Sequence, residues 1–91
     1  MTTKDEISKW FDNGINFKNA YMLIYCDTFD NEDYPVYAKN VTEFWEKYYD
    51  PMRNIGNMQR LMEVYDLSLD KDIQLLEKCS MHKPIEKEEN S

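Results

Sequence analysis

Hydrophobic positions change their spacing along the chain, and the changes mark its elements. Ile7, Trp10, Phe11 and Ile15 recur at helical spacing and form one apolar stripe. Ahead of them, Thr3-Lys4-Asp5-Glu6 has the form of a capping box, in which Thr3 and Glu6 satisfy each other's backbone amides. A helix is predicted over 4–14, ending at Asn13-Gly14, residues that tolerate left-handed backbone. Residues 20–26, AYMLIYC, are an unbroken apolar run without clean alternation, which predicts a strand covered on both faces at the centre of a small sheet. Its two sets are Tyr21, Leu23, Tyr25 and Met22, Ile24, Cys26. The tyrosine set reads as the more solvent-facing, because a phenol keeps its hydroxyl wet while burying its ring. After an acidic connection over 27–33, residues 34–38, YPVYA, predict a second strand. Pro35 cannot donate to a ladder, so this strand belongs at an edge.

Asn40-Val41-Thr42-Glu43 repeats the capping pattern, and Val41, Phe44, Trp45 and Tyr48 follow at helical spacing. The predicted helix covers 41–49 and is closed by Pro51. Residues 52–57 read as a loop pivoting on Gly56. Residues 58–67 fit two templates: Met58, Leu61, Met62 and Tyr65 suit a helix, and the alternation from Leu61 to Leu67 suits a strand. A third strand is the better reading, since a two-stranded sheet is marginal. Ser68 then caps a helix over 69–80, with Asp70 and Asp72 in its first turn. Its apolar face is Ile73, Leu76 and Cys79, and Pro84 stops it. The charged residues 85–91, IEKEENS, read as a disordered tail.

The expected fold is one α+β domain over residues 1–84. It has a small three-stranded, mainly antiparallel sheet and three helices in the order α-β-β-α-β-α, packed largely on one face. Trp10, Phe11, Ile24, Phe44, Trp45 and Leu76 are the expected core. An uncovered face carrying Tyr21, Tyr25 and Tyr37 would be a natural interface, so a homodimer is expected through it.

Composition narrows the function classes. The chain has 91 residues, near the lower end of what folds without staples, and seven Tyr, four Phe and two Trp supply buried area in place of size. A net charge of −7 argues against direct contact with nucleic acid or an anionic membrane and points to a basic partner. No apolar run reaches membrane-spanning length and the first ten residues lack a signal-peptide core, so a cytoplasmic location is expected. Two cysteines, Cys26 and Cys79, are too few for a disulfide framework and should be reduced there.

Candidate chemistry is sparse. Asp27, Asp30, Glu32 and Asp33 are oxygen ligands of the kind Mg²⁺ or Ca²⁺ takes, but their spacing is not an EF-hand and a solvated acidic loop is the plainer reading. Cys26, Cys79 and His82 include a Cys-x-x-His, yet a structural zinc site needs a fourth ligand. Nothing local supports a nucleophilic cysteine with His82 as its base. Phosphate-loop, dinucleotide-glycine and zincin patterns are missing, so no catalytic residue, cofactor or metal ligand is assigned.

The stretch CDTFDNEDYPVYA, followed some twenty residues later by NMQRLMEVYDL, resembles a family of small uncharacterised bacterial and phage proteins. Its members carry a pattern close to GATHMIVVCDTFD-x-EDYPVYV and then a PNMQRVMEVYDL-like segment. The similarity runs from about Trp10 to Leu67. This chain departs at Lys18-Asn19-Ala20-Tyr21, where the family has Gly-Ala-Thr-His, so no role for that Thr-His pair carries over. The resemblance implies a shared fold with a third strand and suggests a phage or mobile-element accessory role, such as a counter-defence inhibitor.

Two function classes follow. The favoured one is a non-enzymatic binding protein that occupies a basic site on a protein partner. Its contact residues are Asp27, Phe29, Asp30, Glu32, Asp33 and Tyr34, with Phe29 as an apolar anchor in a charged frame. Phe29 has a rival role as a plug folded under its own loop. The alternative class is a small metal-dependent or nucleotide-handling enzyme, or a ligand-binding protein, using the carboxylates of 27–33.

Overall fold

The computed structural model of the chain describes residues 3–53 and 59–84, the side chains of 50–53 excepted. Its elements are α1 (Lys4–Asn16), β1 (Tyr21–Asp27), β2 (Glu32–Ala38), α2 (Val41–Arg53), β3 (Gln59–Asp66) and α3 (Lys71–Leu76). The three strands form one antiparallel sheet in the order β2-β1-β3, so the fold is α+β as expected, with Pro35 on an edge strand. The Gly56 pivot and the tail 85–91 lie outside the described residues. No helix among the described residues is long and apolar enough to cross a membrane.

The helices do not share a face. One cluster joins Ile7 and Phe11 of α1 to Met22, Ile24, Tyr65 and Leu67, with Trp10, Tyr37 and Leu75 packed against it. The other joins Phe44 of α2 to Leu23, Tyr25, Ala38 and Val64 on the opposite side. This corrects the one-sided arrangement, and the reason lies in β1, which is apolar on both faces and needs cover on both. The expected core therefore divides. Phe11 and Ile24 are buried on one side and Phe44 on the other, while Trp10 and Trp45 are only half-buried. The tyrosine face is corrected as well. Tyr25 is buried under α2, Tyr21 packs on Phe44, and Tyr37 pairs with Met22 and so belongs to the α1 side. Among the described residues, Tyr21, Tyr25 and Tyr37 therefore do not share one uncovered face.

Two helix ends differ from expectation for connected reasons. The capping box at Thr3 and Glu6 is present, but α1 continues past Gly14 to Asn16, and Lys18 takes the left-handed backbone at φ 61°. Gly14 serves a close approach. A Cβ there would lie 2.7 Å from Leu67 Cδ1 and 2.9 Å from Tyr37 Cε1. The Tyr37 ring crosses α1 at that point, and its hydroxyl donates to the Trp10 carbonyl at 2.8 Å. On the other face, α2 runs through Pro51 to Arg53. Proline has no N–H for the carbonyl four residues back, which is Lys47. That carbonyl accepts instead from the Tyr25 hydroxyl at 2.7 Å, so the helix passes its proline with no orphaned group there.

The C-terminal helix is shorter than the predicted 69–80 and turned over. Asp70, not Ser68, is its N-cap, accepting from the Ile73 amide, while Ser68 bonds Asp66. Gln74 faces inward at 1% exposure, and Leu76 lies outward at 86%. Gln74 holds that place because its amide serves the Asp66 amide and carbonyl and the Asp70 carbonyl, at 2.8, 2.9 and 3.1 Å. After Glu77 the chain bends through Cys79 and then returns along the outer edge of β3, where Val64 donates to Ser80 and His82 donates to Val64. This strap forms a parallel bridge between Val64 and Met81. Its hub is Ser80, whose hydroxyl lies 2.6 Å from the Gln74 carbonyl and 2.9 Å from Glu77 Oε1. His82 Nε2 donates to the same Glu77 oxygen at 2.8 Å. The His82 and Ser80 hydrogen bonds hold the Glu77 carboxyl below its ordinary pKa.

Three measurements test this account. Phe44→Ala should cost about 3–5 kcal/mol in urea melts, whereas the surface change Leu76→Ala should stay within about 0.5 kcal/mol. Tyr25→Phe should cost about 1–3 kcal/mol by stranding the Lys47 carbonyl. That cost should shrink in a Pro51→Ala background, where the helix amide returns, and equal costs in both backgrounds would reject the compensation. For Glu77, a folded-state pKa below the unfolded one adds stability above the ordinary carboxylate range and loses it as pH falls. The difference in Tm between wild type and Glu77→Gln should therefore be widest near neutrality and close in acid.

Candidate functional site

The acidic connection is tighter than its sequence span. Pairing continues to Asp27 opposite Glu32, which leaves residues 28–31 as the turn of a β-hairpin. Local polar chemistry builds that turn. Asp27 Oδ1 accepts from the Phe29 amide at 2.9 Å, Asp30 Oδ1 accepts from the Glu32 amide at 3.3 Å, and Asn31 donates to the Asp27 carbonyl at 2.7 Å. Asn31 stands at φ 59°, a backbone its short amide side chain tolerates. Two of the four carboxylates therefore have a structural duty as turn acceptors.

Strand register divides the six candidate contact residues. Glu32 lies opposite Asp27 and Tyr34 opposite Tyr25, so these residues sit on the α2 face. Asp33 lies opposite Cys26 on the α1 face, where its side chain takes a hydrogen bond from the Cys26 thiol. Asp30 and Phe29 stand at the tip. Tyr34 is half-buried beneath it with its ring against Tyr25, centroids 6.2 Å apart. Burial, then the nearby Asp27, raises the Tyr34 phenol pKa. Phe29 is 82% exposed. It does not fold back under its loop, so the plug role is not the one it adopts. The sequence reading missed Arg60, which β3 brings opposite Cys26 at this end of the sheet. Only the pairing of distant strands puts a base there.

Other constellations separate. Among the described residues no three His, Cys, Asp or Glu side chains are grouped to hold a metal ion, so the carboxylates of 27–33 do not converge as a ligand set. Both cysteines are free thiols, with Cys26 in β1 and Cys79 in the strap, its Sγ 3.6 Å from the Met62 carbonyl. Burial and the Asp33 hydrogen bond raise the Cys26 pKa, the opposite of what activates a nucleophile. Ser80, Glu77 and His82 are linked, but the carboxylate is in the middle and the serine is fully buried. A serine nucleophile needs the imidazole against its hydroxyl, so this chain of hydrogen bonds is scaffolding. Tyr65 extends it, donating to Glu63 Oε1 at 2.6 Å, and burial with that bond keeps the phenol strongly protonated.

The hairpin tip presents an exposed ring framed by carboxylates on a short turn. Compared with known proteins, the chain matches no family model, no curated protein and no solved structure.

Proposed function

We propose that the chain is a non-enzymatic binding protein that presents its β1–β2 hairpin tip to a basic-rimmed apolar site on a protein partner. The carrying observation is the 82% exposure of Phe29 in a turn that contains Asp30 and is flanked by Asp27 and Glu32. A large ring held in water adds nothing to folding, and aromatic anchors within charged rims are typical interface hot spots. Carboxylates around the ring would steer the encounter with a basic partner and discourage acidic ones. The anchor is Phe29, the charged frame is Asp27, Asp30 and Glu32, and Tyr34 supports the base of the tip. Asp33 belongs to the opposite face. The likeness to bacterial and phage proteins supports the narrower reading of an accessory or counter-defence inhibitor in the cytoplasm. The enzyme alternative draws no support from the dispersed carboxylates.

Mutation separates an anchor from a merely tolerated surface ring. Phe29→Ala should leave stability within about 0.5 kcal/mol of wild type and weaken binding by about 2–4 kcal/mol. The readouts are a thermal melt and a quantitative comparison of proteins retained from the native host by wild type and variant. Asp30→Asn with Glu32→Gln keeps the acceptor oxygens and removes two charges, so binding should weaken and its salt dependence flatten. A partner held equally well by all three proteins at low salt would remove the tip from the interface.

A further inference from the structure

On the face opposite the tip's acidic frame, a cleft of about 310 Å³ runs across the sheet beneath the first turn of α1. That volume is at the lower end of small-ligand pockets. Its floor is apolar, made by Ile7, Ile24 and Met62. Met62 reaches it through the register shift in the β1–β3 ladder: Ile24 pairs with Glu63 and Tyr25 with Leu61, so Met62 has no partner on β1. A bulge of this kind re-aims one side chain, and here the re-aimed side chain lines the cleft.

The charged groups are ordered across the cleft. Asp33 stands on β2, Glu63 on β3, and Lys78 on the strap beyond β3, with Lys4 above from α1. Glu63 is committed to the Tyr65 hydroxyl and the Ser80 amide. Lys4 reaches only the Glu77 carbonyl, at 3.4 Å. Among the described residues neither Asp33, Lys4 nor Lys78 is in an ion pair. A carboxylate whose partner is the Cys26 thiol and two ammoniums outside any ion pair thus line an apolar floor from opposite sides. Spacings of about 4.8 Å separate β2, β1, β3 and the strap where Ser80 and His82 line β3, so the β2 and strap ends of the cleft stand roughly 14 Å apart before the side chains reach inward. An α-amino acid, with its charges on one carbon, cannot meet both ends.

We propose that this cleft binds an elongated zwitterion of the short-peptide class. Its free ammonium lies at Asp33, its carboxylate at Lys78 and Lys4, and its apolar middle on Ile7, Ile24 and Met62. The site is independent of the tip, since its groups lie on the other face of the hairpin.

The test is amide NMR titration of the full chain with alanyl-leucyl-alanine, its N-acetyl form and its C-terminal amide. The free tripeptide should shift resonances at Asp33, Met62 and Lys78 at millimolar concentration. Each blocked form should bind at least about tenfold more weakly, the loss of one charge-assisted contact. Asp33→Asn should abolish the preference over the acetyl form alone, and Lys78→Gln the preference over the amide alone. Both positions are partly or fully exposed, so the variants should keep the wild-type Tm. Absence of shifts at the cleft, equal binding of free and blocked peptides, or leucine competing as well as the tripeptide would each overturn the assignment.

Discussion

Two phenol hydroxyls fasten the two long helices to opposite faces of one hairpin. Tyr37 donates to the Trp10 carbonyl in α1, and Tyr25 donates to the Lys47 carbonyl in α2. Each contact depends on an anomaly in its helix. Gly14 removes the Cβ that would meet the Tyr37 ring, and Pro51 removes the amide that would otherwise claim the Lys47 carbonyl. A glycine and a proline inside helices are local defects that tertiary contacts turn into docking points. Because β1 is apolar on both sides, neither helix is dispensable: removing either would bare one buried face of the central strand.

The same economy governs the sheet edges. Free edges invite pairing with other chains, and this sheet limits both of its own. β2 carries Pro35, which has no amide to offer, and β3 is covered by the strap through Ser80 and His82. The buried Ser80 and Gln74 let a polar segment lie there, since each has its hydrogen-bonding groups satisfied. Both surfaces proposed for a partner or ligand lie toward the hairpin end of the sheet. They comprise the tip with Phe29 on one side and the cleft beside Asp33 on the other.

The hairpin also shows why a charge cluster read along a sequence is a poor guide to a site. Asp27, Asp30, Glu32 and Asp33 are nearly consecutive, yet strand alternation sends Asp33 to one face and Asp27 with Glu32 to the other. Two carboxylates hold the turn together. The mutual repulsion that a compact cluster would impose is therefore spread over two faces and a tip.

Local chemistry in the chain determined a good part of this architecture. The capping box at Thr3 and Glu6, the apolar run of β1, Pro35 at an edge and the order of elements are all legible, because each depends on neighbours a few residues away. The exposure of Phe29 was open between two roles, since sequence does not say which way a turn residue points. Tertiary structure alone decided the rest. α1 passes Gly14 and α2 passes Pro51 because distant tyrosines make those positions acceptable. α3 presents Gln74 inward and Leu76 outward because the carbonyls and amide of Asp66 and Asp70 needed partners more than the core needed another leucine. Periodicity reports which residues prefer to be buried, whereas unsatisfied backbone groups, known only once elements meet, settle which of them are.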